Sequence, residues 1–255
     1  MPVITRRETR EELRRSHTPE AIRRRLGQRP RPSYLSDFVY GAIDGAVTTF
    51  AVVSGVAGAA LSPAIIIILG IANLMGDGFS MAAANYLGTR VTRQQRRQAR
   101  REEEHEIDTH PEGEREEVRQ IFAAKGFEGD MLNRAVDVIT ADREQWIKVM
   151  MAEEHGIGSE TRIPFRAALS TFIAFILIGA IPLVPFALVI AGVDLPHAFE
   201  WSAAMTGAAF FIVGAMKSRF VDEHWLRAGG ETLLVGGAAA AIAYLVGLLL
   251  RGVAG

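Results

Sequence analysis

The segment ILGIANLMGDGFSM, residues 68–81, is apolar enough to lie in a lipid bilayer except at a few polar positions. Asn73, Asp77 and Met81 are spaced four residues apart, so a helix would carry all three side chains on one face. A charged side chain at the centre of a bilayer costs about 2.5–3.5 kcal/mol on insertion scales. We therefore interpret this face as the lining of a path for a cation.

Four further segments have a similar apolar character. The chain is 49% hydrophobic and 22% charged, and its charges are concentrated outside these segments. Residues 167–192 and 232–250 contain no acidic or basic residue, and each is long enough to cross about 30 Å of hydrocarbon as a helix. Residues 38–61, 64–87 and 201–216 are weaker candidates because they are shorter or carry an acid. Together they predict an all-α, polytopic membrane protein with five transmembrane helices.

The distribution of charge divides the chain into four regions. We assign a basic cytoplasmic arm to residues 1–33, spans 1 and 2 to residues 34–90, a cytoplasmic metal-binding helical domain to residues 91–160, and spans 3–5 to residues 161–255. The sequence has no cysteine, which excludes disulfides and thiolate metal sites. Metal ligands would therefore come from glutamate, aspartate, histidine, asparagine and methionine.

Lysine and arginine predict the orientation in the membrane. They follow span 2, separate spans 4 and 5, and fill the arm, where ten arginines stand against four glutamates. The first two groups are Arg90, Arg93, Arg96, Arg97, Arg100 and Arg101, and Lys217, Arg219 and Arg227. The other two links have no lysine or arginine. The positive-inside rule therefore places the N-terminus and the insertion in the cytoplasm and the C-terminus outside, with Arg251 as the one exception.

The arginine arm has the composition of a segment that meets a charged partner. Thr18 followed by Pro19 predicts the start of a helix and Gly27 its end. Anionic lipid headgroups attract a nearby basic residue by about 1 kcal/mol. Because the arm is tethered to a membrane span, we expect lipid rather than nucleic acid as its partner.

The polar insertion between spans 2 and 3 is predicted to contain three helices. Span 2 would first continue as a polar helix to about Thr109 and end at His110-Pro111, since the residue before a proline avoids the helical conformation. No segment alternates with a period of two, so strands are not expected. The helices would cover residues 111–124, residues 131–140 with Asp130 as cap, and a final stretch from the cap Asp142 through Glu154.

Carboxylates are the most abundant ligand type in the insertion. From Glu102 to Glu154 there are sixteen acidic residues against six lysines and arginines. Two glutamate pairs have a spacing of three, and a turn at His110-Pro111 would bring the two pairs together. Converging carboxylates repel one another unless a cation joins them, and divalent ions suit oxygen ligands. The candidates are Glu103 with Glu106, Glu114 with Glu117, and, with a softer sulfur, Met150 with Glu154.

Two other interpretations of the insertion stay open. Glutamate-rich helices are commonly solvated faces, and Arg115 and Arg119 could pair with these glutamates. Glu102-x-x-His105 matches half of a di-iron motif, which would suit a ferroxidase. A second copy of this motif is absent from the sequence, so we do not expect an enzyme.

Asp44 is the acid of span 1. It lies in a Gly41-x-x-x-Gly45 context, in which small residues permit close approach of helices, and Thr48 follows one turn later. A carboxylate removed from water holds a proton that an arriving cation can displace, which is the minimum chemistry of antiport. The alternative is that Asp44 and Asp77 are neutral structural acids that bond between helices.

Three segments carry a resemblance to a known family. DFVYGAIDGAVTTFAVVSGVAGA at residues 37–59 and ANLMGDGFSMAAANYLGTR at residues 72–90 resemble the first two membrane helices of the vacuolar iron transporter family. The insertion continues the resemblance with the order E-x-x-E, His-Pro, E-x-x-E and W-x-x-x-M-M-x-x-E. The resemblance covers about residues 35–250.

The resemblance implies a homodimer of five-helix subunits that moves Fe²⁺ out of the cytoplasm in exchange for protons. Glutamate, aspartate and methionine sites also accept Mn²⁺, Zn²⁺ and Co²⁺, so these ions are further candidates. Asp44 and Met81 would be transport residues. The cytosolic ligands would be Glu103, Glu106, Glu114, Glu117, Met150 and Glu154. The alternative function is a membrane-anchored iron sensor or store without transport.

The chain departs from the family pattern at one position. Asn73 stands where better-studied members place a glutamate, and Asp77 offers an acid one turn later. If Asp77 takes over the role of that glutamate, the site moves by roughly 5–6 Å along the helix. If Asn73 is a neutral ligand instead, fewer protons are exchanged.

Overall fold

The computed structural model describes residues 9–27, 32–158, 162–218 and 223–253. Within these residues all regular structure is helical. Two short helices form the described part of the arm, α1 (Arg10–Ser16) and α2 (Pro19–Gly27). The bounds of α2 confirm the start and end predicted there, and the Oγ1 atom of Thr18 accepts from the N–H of Ala21. Residues 1–8 and 28–31 of the predicted arm, and Arg219, lie outside the described residues.

Five helical segments are long and apolar enough to cross a membrane, which confirms the predicted number of spans. The first two are α3 (Leu35–Gly58) and α4 (Pro63–Thr109). The third runs over Pro164–Ile190 and is interrupted, because α8 (Pro164–Gly179) is followed by a 3-10 turn (Ile181–Leu183) and α9 (Val184–Ile190). The last two are α10 (Ala198–Lys217) and α11 (Trp225–Leu250), which a 3-10 turn (Arg251–Val253) follows. The chain is a multi-pass membrane protein.

Helices α5 (Pro111–Ala124), α6 (Gly129–Thr140) and α7 (Arg143–Glu153) lie between spans 2 and 3. Asp142 caps α7 as predicted, and its side chain accepts from the N–H groups of Glu144 and Gln145. The predicted cap of α6 at Asp130 is wrong. The helix already begins at Gly129, which has a φ of 53°, so Glu128 is the N-cap residue; its side chain makes no cap hydrogen bond. The chain divides into two compact units, Met1–Leu87 with Ile163–Gly255, and Gly88–Arg162.

In the first unit, α3 is the central helix and packs closely on α8. A Cβ atom built on Gly45 would lie 2.5 Å from the carbonyl oxygen of Phe175, and one on Gly179 would lie 2.7 Å from the carbonyl oxygen of Gly45. The backbones of the two helices are therefore in direct contact, as the small residues of span 1 predicted. Phe175 and Phe210 are fully buried beside them.

In the second unit, an apolar core holds α5, α6 and α7 against the polar part of α4. Val118, Val136 and Ile147 are completely buried there, one from each of the three short helices. Ion pairs surround this core, including Arg143 with Asp108 at 2.8 Å. The packing fixes the ends of the helices, and the candidate ligands lie near those ends.

Candidate metal-binding sites

Glu103 and Glu114 form the buried part of an acidic cluster in the insertion. The Glu103 side chain has no exposed surface, and Glu114 is 6% exposed. The chain reverses between the end of α4 at Thr109 and the start of α5 at Pro111, which brings the two glutamates together. Glu106 is exposed, and one oxygen from each of these three glutamates lies within 4.8 Å of the other two.

A second group of ligands shares Glu103. Donor atoms of Glu103, Glu154 and His155 lie within 4.8 Å of one another. The Nε2 atom of His155 is 3.4 Å from Oε2 of Glu103 and 4.0 Å from Oε2 of Glu154. His155 was not predicted from the sequence. The signal that could have revealed it is its place next to Glu154, a predicted ligand, just after the end of a helix.

Several polar atoms of these two groups are buried without a hydrogen-bond partner. They are both carboxylate oxygens of Glu103, Oε2 of Glu114 and Nε2 of His155. Buried polar atoms are normally hydrogen-bonded, and a buried charge without a partner is strongly unfavourable. Divalent cations held by the two groups would give these atoms partners. The cluster therefore has the chemistry of a metal site as well as its geometry.

The same crowding changes the acidity of the cluster. Burial, with the charges of Glu114 and Glu154, raises the pKa of Glu103 to about 8. Burial and the charge of Glu117 raise the pKa of Glu114. Burial and the charges of Glu154 and Glu106 raise the pKa of Glu117, and His155 opposes this shift. At neutral pH the empty cluster therefore retains a proton, which a bound cation would displace.

The arginines of α5 do not neutralise the cluster in the part of the chain that the structure describes. Arg115 pairs with Asp137 on α6, and Arg119 pairs with Glu116 at 3.2 Å. Neither acid belongs to the predicted ligands. The interpretation of these glutamates as a solvated face with local ion pairs therefore fits Glu116 and does not fit Glu103 or Glu114.

The predicted sulfur ligand lies in the apolar core. Met150 is completely buried and belongs to the hydrophobic cluster of the insertion, as does its neighbour Met151. Packing alone accounts for this burial, so coordination by Met150 stays a prediction. Glu102 and His105, the half motif that suggested a ferroxidase, are both exposed.

In the membrane-spanning helices, the predicted residues of α4 lie opposite α3. Asp44 and Asp77 are half-buried and close enough to interact electrostatically. The Nδ2 atom of Asn73 donates to the hydroxyls of Thr48 and Thr49, each over 3.3 Å.

Met81 is half-buried at the edge of the apolar cluster of the first unit. Since α4 is one continuous helix, Asn73, Asp77 and Met81 share a face as predicted.

A further hydrogen bond between α3 and α4 was not predicted. The buried side chain of Asp37 accepts a hydrogen bond of 2.9 Å from Nδ2 of Asn85, which also donates to Oγ1 of Thr171 on α8 over 2.7 Å. Asn85 lies four residues after Met81, so the four-residue spacing on α4 already contained the signal. We call the three successive residue pairs, Thr48 with Asn73, Asp44 with Asp77 and Asp37 with Asn85, the polar seam.

Comparison with known proteins identifies the family of the chain. A family model described as the VIT family matches residues 35–248, which is most of the chain. The chain belongs to the VIT family. The match covers all five membrane spans and the insertion with its acidic cluster, which confirms the resemblance seen in the sequence.

Relatives of this VIT family member carry a consistent name. The chain is 32% identical over 221 residues to vacuolar iron transporter 1 of Arabidopsis thaliana, covering 84% of this chain and 85% of the relative. It is 31% identical over 229 residues to the vacuolar iron transporter of Toxoplasma gondii, covering 87% of this chain and 76% of the relative. For the vacuolar iron transporter of Plasmodium falciparum the identity is 27% over 224 residues, covering 85% and 82%.

Proposed function

We propose that this protein carries Fe²⁺ out of the cytoplasm in exchange for protons, and that the acidic cluster of the insertion captures the ion first. The observation that carries this proposal is the fully buried Glu103, whose two unpartnered oxygens face ligand atoms of Glu114, Glu154 and His155. Relatives named vacuolar iron transporters support Fe²⁺ as the substrate. Glu106, Glu117 and Met150 complete the proposed capture site.

The polar seam is the proposed route through the membrane. Asp44 and Asp77 repel each other when both are ionised, and a proton or a cation between them removes this repulsion. Cation and proton therefore compete for the same carboxylates, which is the condition for exchange. Acids in membrane helices mark ion paths in general. Met81 supplies a soft ligand at the edge of this route.

Asn73 sets the number of acids in the route. As an amide that bonds Thr48 and Thr49, it carries no titrating proton. Asp77 is the acid one turn further along α4 and takes the role of the missing glutamate in this proposal. The same oxygen and sulfur ligands would accept Mn²⁺, Zn²⁺ and Co²⁺ with different affinities.

The proposed assembly is a homodimer with the N-terminus and the insertion in the cytoplasm and the C-terminus outside. The apolar part of α4 is mostly exposed in the monomer. Its large exposed side chains include Ile68, Met75 and Phe79. A second copy of α4 would pack against these side chains with specific contacts that lipid does not make. It would also enclose the neighbouring polar seam.

Transport into proteoliposomes tests the function. Purified protein is reconstituted, and uptake of Fe²⁺, Mn²⁺, Zn²⁺, Co²⁺ and Ca²⁺ is followed with and without an imposed pH gradient, using protein-free liposomes as the control. We expect Fe²⁺ flux that rises with a gradient of protons toward the cytoplasmic face. Metal binding without any flux would contradict transport and favour the membrane-anchored sensor or store. Equal Fe²⁺ flux with and without the pH gradient would contradict proton exchange but not Fe²⁺ transport.

A further inference from the structure

His155 differs from the other candidate ligands of the insertion in its chemistry. It follows Glu154, the C-cap residue of α7, and its side chain is 24% exposed. Its Nε2 atom is buried without a hydrogen bond and lies 3.4 Å from a Glu103 oxygen. The sequence has no cysteine, so imidazole nitrogen and thioether sulfur are the non-oxygen ligands available to this chain.

Glu103 belongs to two sets of ligand atoms. One set, with Glu106 and Glu114, consists of oxygens alone, and the other, with Glu154 and His155, combines oxygen and nitrogen. Both oxygens of Glu103 are buried without a hydrogen-bond partner, so both are available for metal coordination. A single buried carboxylate can thus bridge two metal positions of different chemistry.

We propose that His155 is a metal ligand and that it makes the position at Glu103 and Glu154 selective for Fe²⁺, Co²⁺ and Zn²⁺ over Mn²⁺. Imidazole suits Zn²⁺ and Fe²⁺, whereas carboxylate oxygens suit Mn²⁺, Mg²⁺ and Ca²⁺. The position at Glu106 and Glu114, which has oxygens alone, does not discriminate in this way. The inference rests on the proposed role of the insertion in capturing metal.

The alternative role of His155 is a counter-charge for the buried glutamate. A positively charged side chain would repel any cation. A purely structural His155 would therefore have the same effect on the affinity for every divalent ion, whether that effect is a decrease or none. A ligand instead changes the order of preference among ions. The relative affinities for different ions therefore distinguish the two roles, whereas the affinity for a single ion does not.

Titration calorimetry of the full-length protein in detergent, without oxygen, tests the inference with Zn²⁺, Co²⁺ and Mn²⁺. In His155→Gln we expect the Zn²⁺ and Co²⁺ affinities to fall about tenfold or more and the Mn²⁺ affinity to change by less than about twofold. His105→Gln is the matched control, because His105 is exposed on α4 and should leave all three affinities unchanged. Glu106→Gln should weaken Mn²⁺ and Zn²⁺ alike.

The outcomes separate this inference from the proposed function. Equal losses for all three ions in His155→Gln, or no loss for Zn²⁺, would overturn the role of His155 while leaving the capture site intact. Absence of metal binding by the wild type would overturn both. X-ray absorption is measured on the wild type and His105→Gln, each with one equivalent of Zn²⁺. This measurement does not depend on whether His155→Gln folds. Imidazole scattering is expected in both, and its absence would also overturn the role of His155.

Discussion

Asn73 on α4 and Thr48 on α3 are joined by a hydrogen bond of 3.3 Å between the amide nitrogen and the hydroxyl oxygen. The Thr48 hydroxyl in turn donates to the backbone carbonyl of Asp44 over 2.9 Å. An uncharged contact thus lies beside the pair of acids, Asp44 and Asp77. This arrangement gives Asn73 a hydrogen-bonding role between α3 and α4.

Asp44→Asn should remove proton-driven Fe²⁺ flux almost completely, by at least about tenfold, because an amide cannot exchange a proton for a cation. Metal binding by the insertion of the same protein should stay at the wild-type level, as measured by calorimetry. Asp194→Asn is the control, since Asp194 is an exposed carboxylate between spans 3 and 4. Wild-type flux in Asp44→Asn would exclude Asp44 from the mechanism.

Asp77→Asn should lower flux and change the order in which divalent ions are transported, because it removes one of the two interacting acids of α3 and α4. The measurement is uptake of the same panel of ions into liposomes. Asn73→Asp serves as the complementary variant and should increase the number of protons exchanged per ion. Unaltered selectivity in Asp77→Asn would show that Asp77 does not replace the missing glutamate.

Glu114→Ala should weaken metal binding by the insertion about tenfold or more, since its buried side chain shares a site with Glu103. Glu106→Ala should have a smaller effect of the same kind because Glu106 is exposed to water. Glu112→Ala on the same helix as Glu114 is the matched control, and calorimetry with Fe²⁺ under anaerobic conditions is the measurement. Equal Fe²⁺ affinity in all three variants would support the interpretation of these glutamates as a solvated face.

Glu103→Gln should stabilise the metal-free protein at high pH. The pKa of Glu103 is raised to about 8, so the folded protein keeps a proton that the unfolded chain releases above about 4.5. Its contribution to stability therefore declines as the pH rises from about 4.5 to about 8, by roughly 1.4 kcal/mol per pH unit at most. Glutamine avoids this loss. In thermal unfolding with a chelator, the melting temperature of Glu103→Gln should be higher than that of the wild type at pH 8 and close to it at pH 5.

Bound metal should reverse the order of stability of the wild type and Glu103→Gln at pH 8. With saturating Zn²⁺ the wild type is stabilised by binding, and Glu103→Gln, which lacks the shared carboxylate, gains little. A wild type that is more stable than Glu103→Gln at pH 8 without metal would contradict the burial of an unpartnered charge at this position.

Gly45→Ala should destabilise the membrane unit by about 1–3 kcal/mol, because the added Cβ would meet the backbone oxygen of Phe175 at 2.5 Å. Gly237→Ala on α11 is the matched control, since a Cβ there meets no atom within 4 Å. Unfolding in mixed micelles measures the difference. Similar stability of the two variants would contradict direct backbone contact between α3 and α8.

Local features of the fold could be predicted because they depend on short stretches of sequence. The five spans follow from apolar length, and Asp142 caps α7 through hydrogen bonds to residues two and three positions later. The cap at Asp130 failed as a prediction because Gly129 adopts a positive φ and starts α6 two residues earlier than predicted.

By itself the sequence determined that five helices are apolar enough to cross a membrane and that Asn73, Asp77 and Met81 share a face, since helical periodicity and side-chain hydrophobicity are local properties. Only the tertiary structure decided that Glu103 is buried without a partner beside His155, and that Asn85 bonds Asp37. These contacts join residues on different helices that are far apart in the chain. Their formation depends on how the helices pack, which the spacing of residues within one helix does not specify.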